Sequence, residues 1–194
     1  DLHRRRHSFP TRRSSDLAEK GKVVTLIASD NVKGGEMAAE FILKQLGKNA
    51  KVAELQGIPG ASATRERGRG FHLVADRNLN VVTSQAADFD RVKGLTVAEN
   101  IIQAHNDIQA IFAQNDEMAL GAIEAAKSAG KKLIIVGFDG SADGIKAVET
   151  GRMSATVAQQ PELIGQKAVE ASKSILLQQS VESSIPVPLK LVHS

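Results

Sequence analysis

The chain has 194 residues, 42% of them hydrophobic and 24% charged, enough apolar material for the core of one soluble α/β-sized domain. It has no Cys, which excludes disulfides, thiolate metal sites and cysteine nucleophiles; with no Trp, no Tyr and six Phe it offers little surface for stacking nucleic-acid bases. The formal charge of +3 belongs to residues 1–17 alone, because removing them leaves 20 basic and 20 acidic residues and no electrostatic case for a nucleic-acid or anionic-membrane partner.

Residues 1–17, DLHRRRHSFPTRRSSDL, hold five Arg and lack the apolar central stretch of a secretory signal. A bolt-on basic tail is one reading. The other is that His7–Leu17, HSFPTRRSSDL, resembles a DNA-sequencing adaptor translated in one frame. On that reading residues 1–17 are an artefactual, disordered leader on a chain cut from a longer parent. From Lys22 onward, β-branched runs alternate with Ala-rich helical stretches. Strands are predicted at 23–28, 51–55, 80–84, 110–114, 133–138, 154–159 and 188–192. Helices are predicted near 33–47, 63–77, 90–104, 116–129, 141–150 and 161–179. This alternation implies parallel βαβ units, and so an α/β fold with a doubly wound parallel sheet flanked by helices.

In such sheets ligands sit beyond the carboxyl ends of the strands. Five predicted strand ends carry polar groups there: QGIPGASATRERG (56–68), QAADFDR (85–91), QNDE (114–117), FDGSADG (138–144) and QQPE (159–162). Gly57 and Gly60 precede a helix but match no phosphate-binding pattern, so a turn with Ser62 or Thr64 capping the helix is the simpler reading. Arg65, Arg67 and Arg69 fan out at helical steps and cannot all face one ligand. Asp90, Asp116 and Glu117 stand at helix starts, where capping accounts for them. Asp139, between Phe138 and Gly140 at a strand end, is harder to explain that way. His72, His105 and His193 show no metal-ligand spacing, and no nucleophile elbow occurs, so an enzyme is disfavoured. What remains is a rim of amide, carboxylate and guanidinium groups around Phe89, a poor core residue between two Asp. That combination suits a neutral sugar, whose hydroxyls donate and accept and whose C–H face rests on a ring.

The segments ASDNVKGGEMAAEFI, ELQGIPGASATRERGRGF, QAADFDRVKGL, FAQNDEMALGAIEA, VGFDG and ATVAQQPELIG occur in this order from Ala28 onward. Together they strongly resemble periplasmic ribose-binding proteins, which serve ABC importers. QNDEMALGA and GFDG also resemble the effector-binding domain of LacI-type transcriptional repressors, the alternative reading; RERG followed by ADFDR favours the ribose-binding branch. The resemblance implies one complete lobe of a two-lobed fold plus remnants of the other. Residues 18–29 would be a first-lobe or hinge remnant and 30–159 the ligand-binding second lobe. Residues 160–194 would be hinge and first-lobe helix remnant with a C-terminal strand.

By the same resemblance, Arg67 and Asp139 grip sugar hydroxyls, Asn115 and Gln159 add amide contacts, Phe89 stacks on the sugar and Phe138 lines the pocket more loosely. The first-lobe half of the ligand contacts would lie upstream of Ala18. The implied partners are D-ribose or a close relative, a membrane permease and a chemoreceptor, with no cofactor, no metal and no nucleic acid. The implied setting is the periplasm, with a monomeric parent. Leu163, Ile164, Ala168, Ala171, Ile175 and Leu176 would form an apolar stripe made to pack on a first-lobe sheet.

Overall fold

The computed structural model describes residues 23–193; the leader assigned to residues 1–17 lies outside the described residues, as do residues 18–22. In chain order the elements are β1 (Leu26–Ser29), α1 (Asn31–Leu46), β2 (Lys51–Gln56), α2 (Ser62–Asn78), β3 (Asn80–Ala86), α3 (Arg91–Ala104) and β4 (Ala110–Ala113). They continue with α4 (Asp116–Ser128), β5 (Ile134–Asp139), α5 (Ala142–Glu149), β6 (Ala155–Ala158), α6 (Pro161–Leu176), β7 (Ser184–Val187) and β8 (Lys190–His193). Side-chain oxygens of Asp30, Asp90, Asn115 and Ser141 accept backbone N–H bonds at the starts of α1, α3, α4 and α5. Two of the capping expectations fail. Ala61 precedes α2 with no side-chain cap, and the Thr64 hydroxyl donates instead to the Ile58 carbonyl oxygen at 2.9 Å. Asp116 follows the cap residue Asn115 rather than serving as the cap.

Six strands form one sheet in the order β3-β2-β4-β5-β6-β8. All its pairs are parallel except β6–β8, so the expected parallel sheet flanked by helices carries one antiparallel edge strand. β7 lies in a separate two-stranded parallel sheet with β1, and only Pro188 and Leu189 separate it from β8. β7 itself, SIPV, was not predicted, because four residues containing Pro give no strand signal.

Alternation along the strands divides two cores. Val52, Ala110, Phe112, Val136 and Phe138 face α1 and α2, where they meet Ala38, Ile42, Phe71 and Ala75. Ala53, Leu55, Ile111, Ala113 and Ile135 face α3, α4 and α5, among them Ile101, Met118, Ala119 and Val148. β2 is followed by β3 on one side and β4 lies on its other side, so strand order reverses at β2 and opens a crevice at the carboxyl ends of β2 and β4. α6 packs on β1 and β7, buries only Ala171, and leaves Val169 and Leu176 exposed, as is Leu177 directly after it.

α1 and α2 touch backbone to backbone. A Cβ at Gly35 would collide with the Arg67 carbonyl oxygen, and one at Gly70 with the Val32 carbonyl oxygen. This contact fixes the height of α2, and hence of Arg67, above the sheet. Gly70→Ala gains up to about 1 kcal/mol in helix propensity. Overpacking against backbone costs about 1–3 kcal/mol and should win. We predict a net loss of stability in urea denaturation; an unchanged or raised midpoint would show that the helices can separate freely.

Candidate functional site

Arg67 projects from α2 toward the carboxyl ends of β4 and β5 and is only 5% exposed, whereas Arg65 and Arg69 are exposed. Its Nε donates to Asn31 Oδ1 at 3.0 Å, its Nη1 to the Gln114 carbonyl oxygen at 2.6 Å, and its Nη2 lies 3.1 Å from Asp139 Oδ1. The guanidinium covers the ring of Phe138, with Cζ 3.9 Å from the ring centroid, and stands 5.9 Å from the centroid of Phe89. Burial pushes the Arg67 pKa down and the Asp139 carboxyl up, while their mutual attraction works against both shifts.

Asp139 ends β5 with φ 112°, a conformation that costs a non-glycine residue about 1–3 kcal/mol and that clusters at functional sites. Its side chain is 34% exposed, and its Oδ1 also accepts from Gln159 Nε2 at 2.7 Å. The Gln159 Oε1 in turn accepts from Ser29 Oγ at 2.7 Å. Phe138 is fully buried, so it supports Arg67 from beneath instead of facing solvent.

Asp88 and Phe89, both left-handed with φ 55° and 59°, turn the chain out of β3. The half-buried Phe89 ring abuts Gly57, where any Cβ would strike it. Asn115 Nδ2 donates to the Phe89 carbonyl oxygen at 3.2 Å, and its Oδ1 accepts from Met118 N at 2.9 Å. All six residues singled out from the sequence thus meet at one rim: Arg67, Asp139, Gln159 and Phe138 in direct contact, Asn115 and Phe89 joined beside them.

Sequence reasoning missed the groups that hold this rim. Asn31 bridges Arg67 to Glu66, through Nδ2 to Oε2 at 3.1 Å. Gln114, fully buried, takes the Gly57 N–H on Oε1 at 3.0 Å and donates from Nε2 to Glu54 Oε1 at 2.8 Å. Glu54 is a carboxylate in the middle of a core strand, and its place at an inward position of β2 was the available signal. Its Oε2 also accepts from Gln56 Nε2 at 3.0 Å and faces His72 Nε2 at 3.1 Å. Hydrogen bonds from His72, Ser84 and Gln114 outweigh burial and hold Glu54 below its ordinary pKa. Asp116 accepts from Thr156 Oγ1 and from the Ser141 N–H, each at 2.7 Å, and burial pushes its pKa up.

The rim offers a fixed cation, a partly open carboxylate, amides and a ring, and pairs no activated nucleophile with a base. Among the described residues, no group of three His, Cys, Asp or Glu is placed to hold a metal ion. Fold and rim together define an α/β domain with its polar groups gathered at the strand ends. Residues 13–180 match the family model described as periplasmic binding protein domain, and the chain belongs to that family.

Over 174 residues the chain is 64% identical to the ribose import binding protein of Bacillus subtilis, covering 90% of this chain and 57% of the relative. Over 177 residues it is 56% identical to the ribose import binding protein of Escherichia coli, covering 90% and 60%. The crystal structure of an ABC transporter periplasmic solute binding protein from Actinobacillus succinogenes with bound D-allose superposes with a TM-score of 0.82. It is 32% identical, covering 87% of this chain and 60% of that one. The chain therefore spans roughly three fifths of the length of these relatives.

His72 bonds Glu54 through Nε2 and Asp76 Oδ1 through Nδ1, the latter at 2.7 Å, and these two carboxylates raise its pKa to about 9. Because that lies above the ordinary 6.5, the stabilisation is complete below pH 6.5 and is lost as pH rises through about 9. Thermal melts of the chain should show a fall in midpoint across that window which His72→Gln flattens. Parallel pH profiles for the two proteins would refute the pairing.

Proposed function

We propose that the parent protein is the substrate-binding component of an ABC sugar importer, and that this chain carries the second-lobe half of its ligand site. The ligand is a pentose, D-ribose, held between two lobes that close about a hinge and deliver it in the periplasm to a membrane permease. A chemoreceptor is a further partner of the closed form, and the parent is a monomer. The names of the B. subtilis and E. coli relatives support ribose import over the repressor reading.

The observation that carries this reading is the Arg67–Asp139 pair, with Nη2 and Oδ1 3.1 Å apart at the edge of solvent. A sugar hydroxyl inserted there accepts from Nη2 and donates to the carboxylate, exchanging one ion pair for two charge-assisted hydrogen bonds. Gln159 and Asn115 supply amide groups beside it. Phe89 gives an apolar surface for the C–H face of the ring. Since Arg67 is already fixed by Asn31 and Gln114, little side-chain entropy is lost on binding.

We assign residues 30–159 to the second lobe, and β1, α6 and β7 to a first-lobe and hinge remnant. Support comes from the separate β1–β7 sheet and from the exposed Val169, Leu176 and Leu177 on and after α6. The Ser29–Gln159 hydrogen bond then lies where the chain passes between lobes. β8 pairs with β6 and so returns to the second-lobe sheet.

The test is calorimetry with D-ribose, D-allose and D-galactose on this chain completed with the missing first lobe of the B. subtilis relative. Ribose should bind selectively. Arg67→Ala and Asp139→Ala should each weaken it by ten- to a hundredfold or more, about 1.5–3 kcal/mol for a hydrogen bond to a charged group. The 194-residue chain alone, with half the contacts, should bind at about millimolar or weaker if the whole site binds near micromolar. A well-folded completed protein that binds none of these sugars, or variants that bind as tightly as the parent, would reject the proposal.

A further inference from the structure

The rim groups facing solvent rest on a polar chain that enters from the surface at Asp76 and becomes fully buried at Glu54 and Gln114. It runs from Asp76 to His72, to Glu54, to Gln114 and to the Gly57 N–H, with links of 2.7, 3.1, 2.8 and 3.0 Å. Glu54 and Gln114 are both fully buried. α2 lies directly over them, since a Cβ at Gly68 would come within 3.1 Å of Gln114 Nε2 and 3.5 Å of Glu54 Oε1. The same helix carries Arg67 one residue before Gly68 and His72 one turn after it.

We infer that Gln114 is the positioning residue of the rim: anchored by the Glu54 carboxylate, its amide fixes the Gly57 peptide, which sets the place of the Phe89 ring. The role of this residue in sugar binding rests on the function proposed above; its role in shaping the rim does not.

The chemistry dictates the direction of the amide. With its NH2 on a carboxylate, Gln114 must turn Oε1 toward the Gly57 N–H. A flipped amide would set oxygen against oxygen at Glu54 and N–H against N–H at Gly57. Gly57 meets Phe89 edge-on with no room for a side chain, so a shift of that peptide displaces the ring. The Gln114 carbonyl oxygen also accepts from Arg67 Nη1, so one residue touches the supports of both the cation and the platform.

A buried carboxylate is an expensive way to fill space. Its burial costs several kcal/mol, and a well-packed apolar replacement is commonly neutral or stabilising. Glu54 therefore makes physical sense as an orienting charge. Asp76 is the third charged group drawn into the Glu54–His72 pair, through His72 Nδ1.

The experiment is amide hydrogen exchange by NMR on the 15N-labelled 194-residue chain, followed by titration with D-ribose. Arg67 Nε–H, held by Asn31, is the internal control for global folding. Gln114→Met keeps length and loses the acceptor; Glu54→Gln keeps shape and loses the charge. Each should lower Gly57 protection at least tenfold and shift the Phe89 ring resonances, with Arg67 protection retained. The exchanged pair E54Q/Q114E again sets an amide against a carboxylate and should restore Gly57 protection and the Phe89 shifts.

Undiminished Gly57 protection in Gln114→Met would overturn the inference. If that variant does not fold, Glu54→Gln against E54Q/Q114E decides alone, and no recovery in the exchanged pair overturns it. In the ribose titration, affinity should fall several-fold in both single variants and recover in the exchanged pair. Loss and recovery of Gly57 protection in a chain whose spectra never respond to ribose would remove the sugar reading and leave the positioning role standing.

Discussion

A guanidinium taken out of water has to be given a partner for each of its faces and edges, and Arg67 imposes that requirement on the whole rim. Nε, Nη1 and Nη2 are met by Asn31, Gln114 and Asp139, which come from the start of α1, the end of β4 and the end of β5. The flat face is met by Phe138. Removing one partner of such a group leaves a buried charge uncompensated, which is strongly destabilising. The approach of α1 to α2 through Gly35 and Gly70, the strained turn at Asp139 and the buried Phe138 all serve to deliver those partners at the right height.

The topology supplies the opening. Strand order reverses at β2, so the loops after β2 and β4 part company at their carboxyl ends, and this is where Gly57, Gln114 and Asn115 stand. Parallel strands then bring Phe89, Asp139 and Gln159 to the same edge from β3, β5 and β6. A ring whose edge meets Gly57 and a carboxylate one third exposed at the edge give this rim both an apolar and a polar face. That is the chemistry of a sugar, apolar across its C–H bonds and polar around its hydroxyls.

Much of this was legible in the sequence. β-branched runs alternating with Ala-rich helical stretches gave the helices and most strands, because alternation in the strands has to serve two cores, one on each side of the sheet. The rim residues were legible because they follow strand ends. Three things were not. β7 is too short and Pro-containing to signal a strand, and nothing in the local pattern of β8 shows that it pairs antiparallel to β6. Asn31, Glu54 and Gln114 gave no chemistry-bearing motif, since each acts through another residue. Among Arg65, Arg67 and Arg69, periodicity alone left the inward residue open. Resemblance selected Arg67, and its burial between the two helices and the sheet is the physical reason.

The most direct test of this account is a crystal structure of the completed two-lobed protein with D-ribose. Ribose hydroxyls should lie within hydrogen-bond reach, about 2.7–3.2 Å, of both Arg67 Nη2 and the Asp139 carboxylate, with the sugar ring over Phe89. Arg67 should keep its bonds to Asn31 and the Gln114 carbonyl oxygen. A sugar bound elsewhere, or one that leaves the Arg67–Asp139 pair untouched, would contradict it.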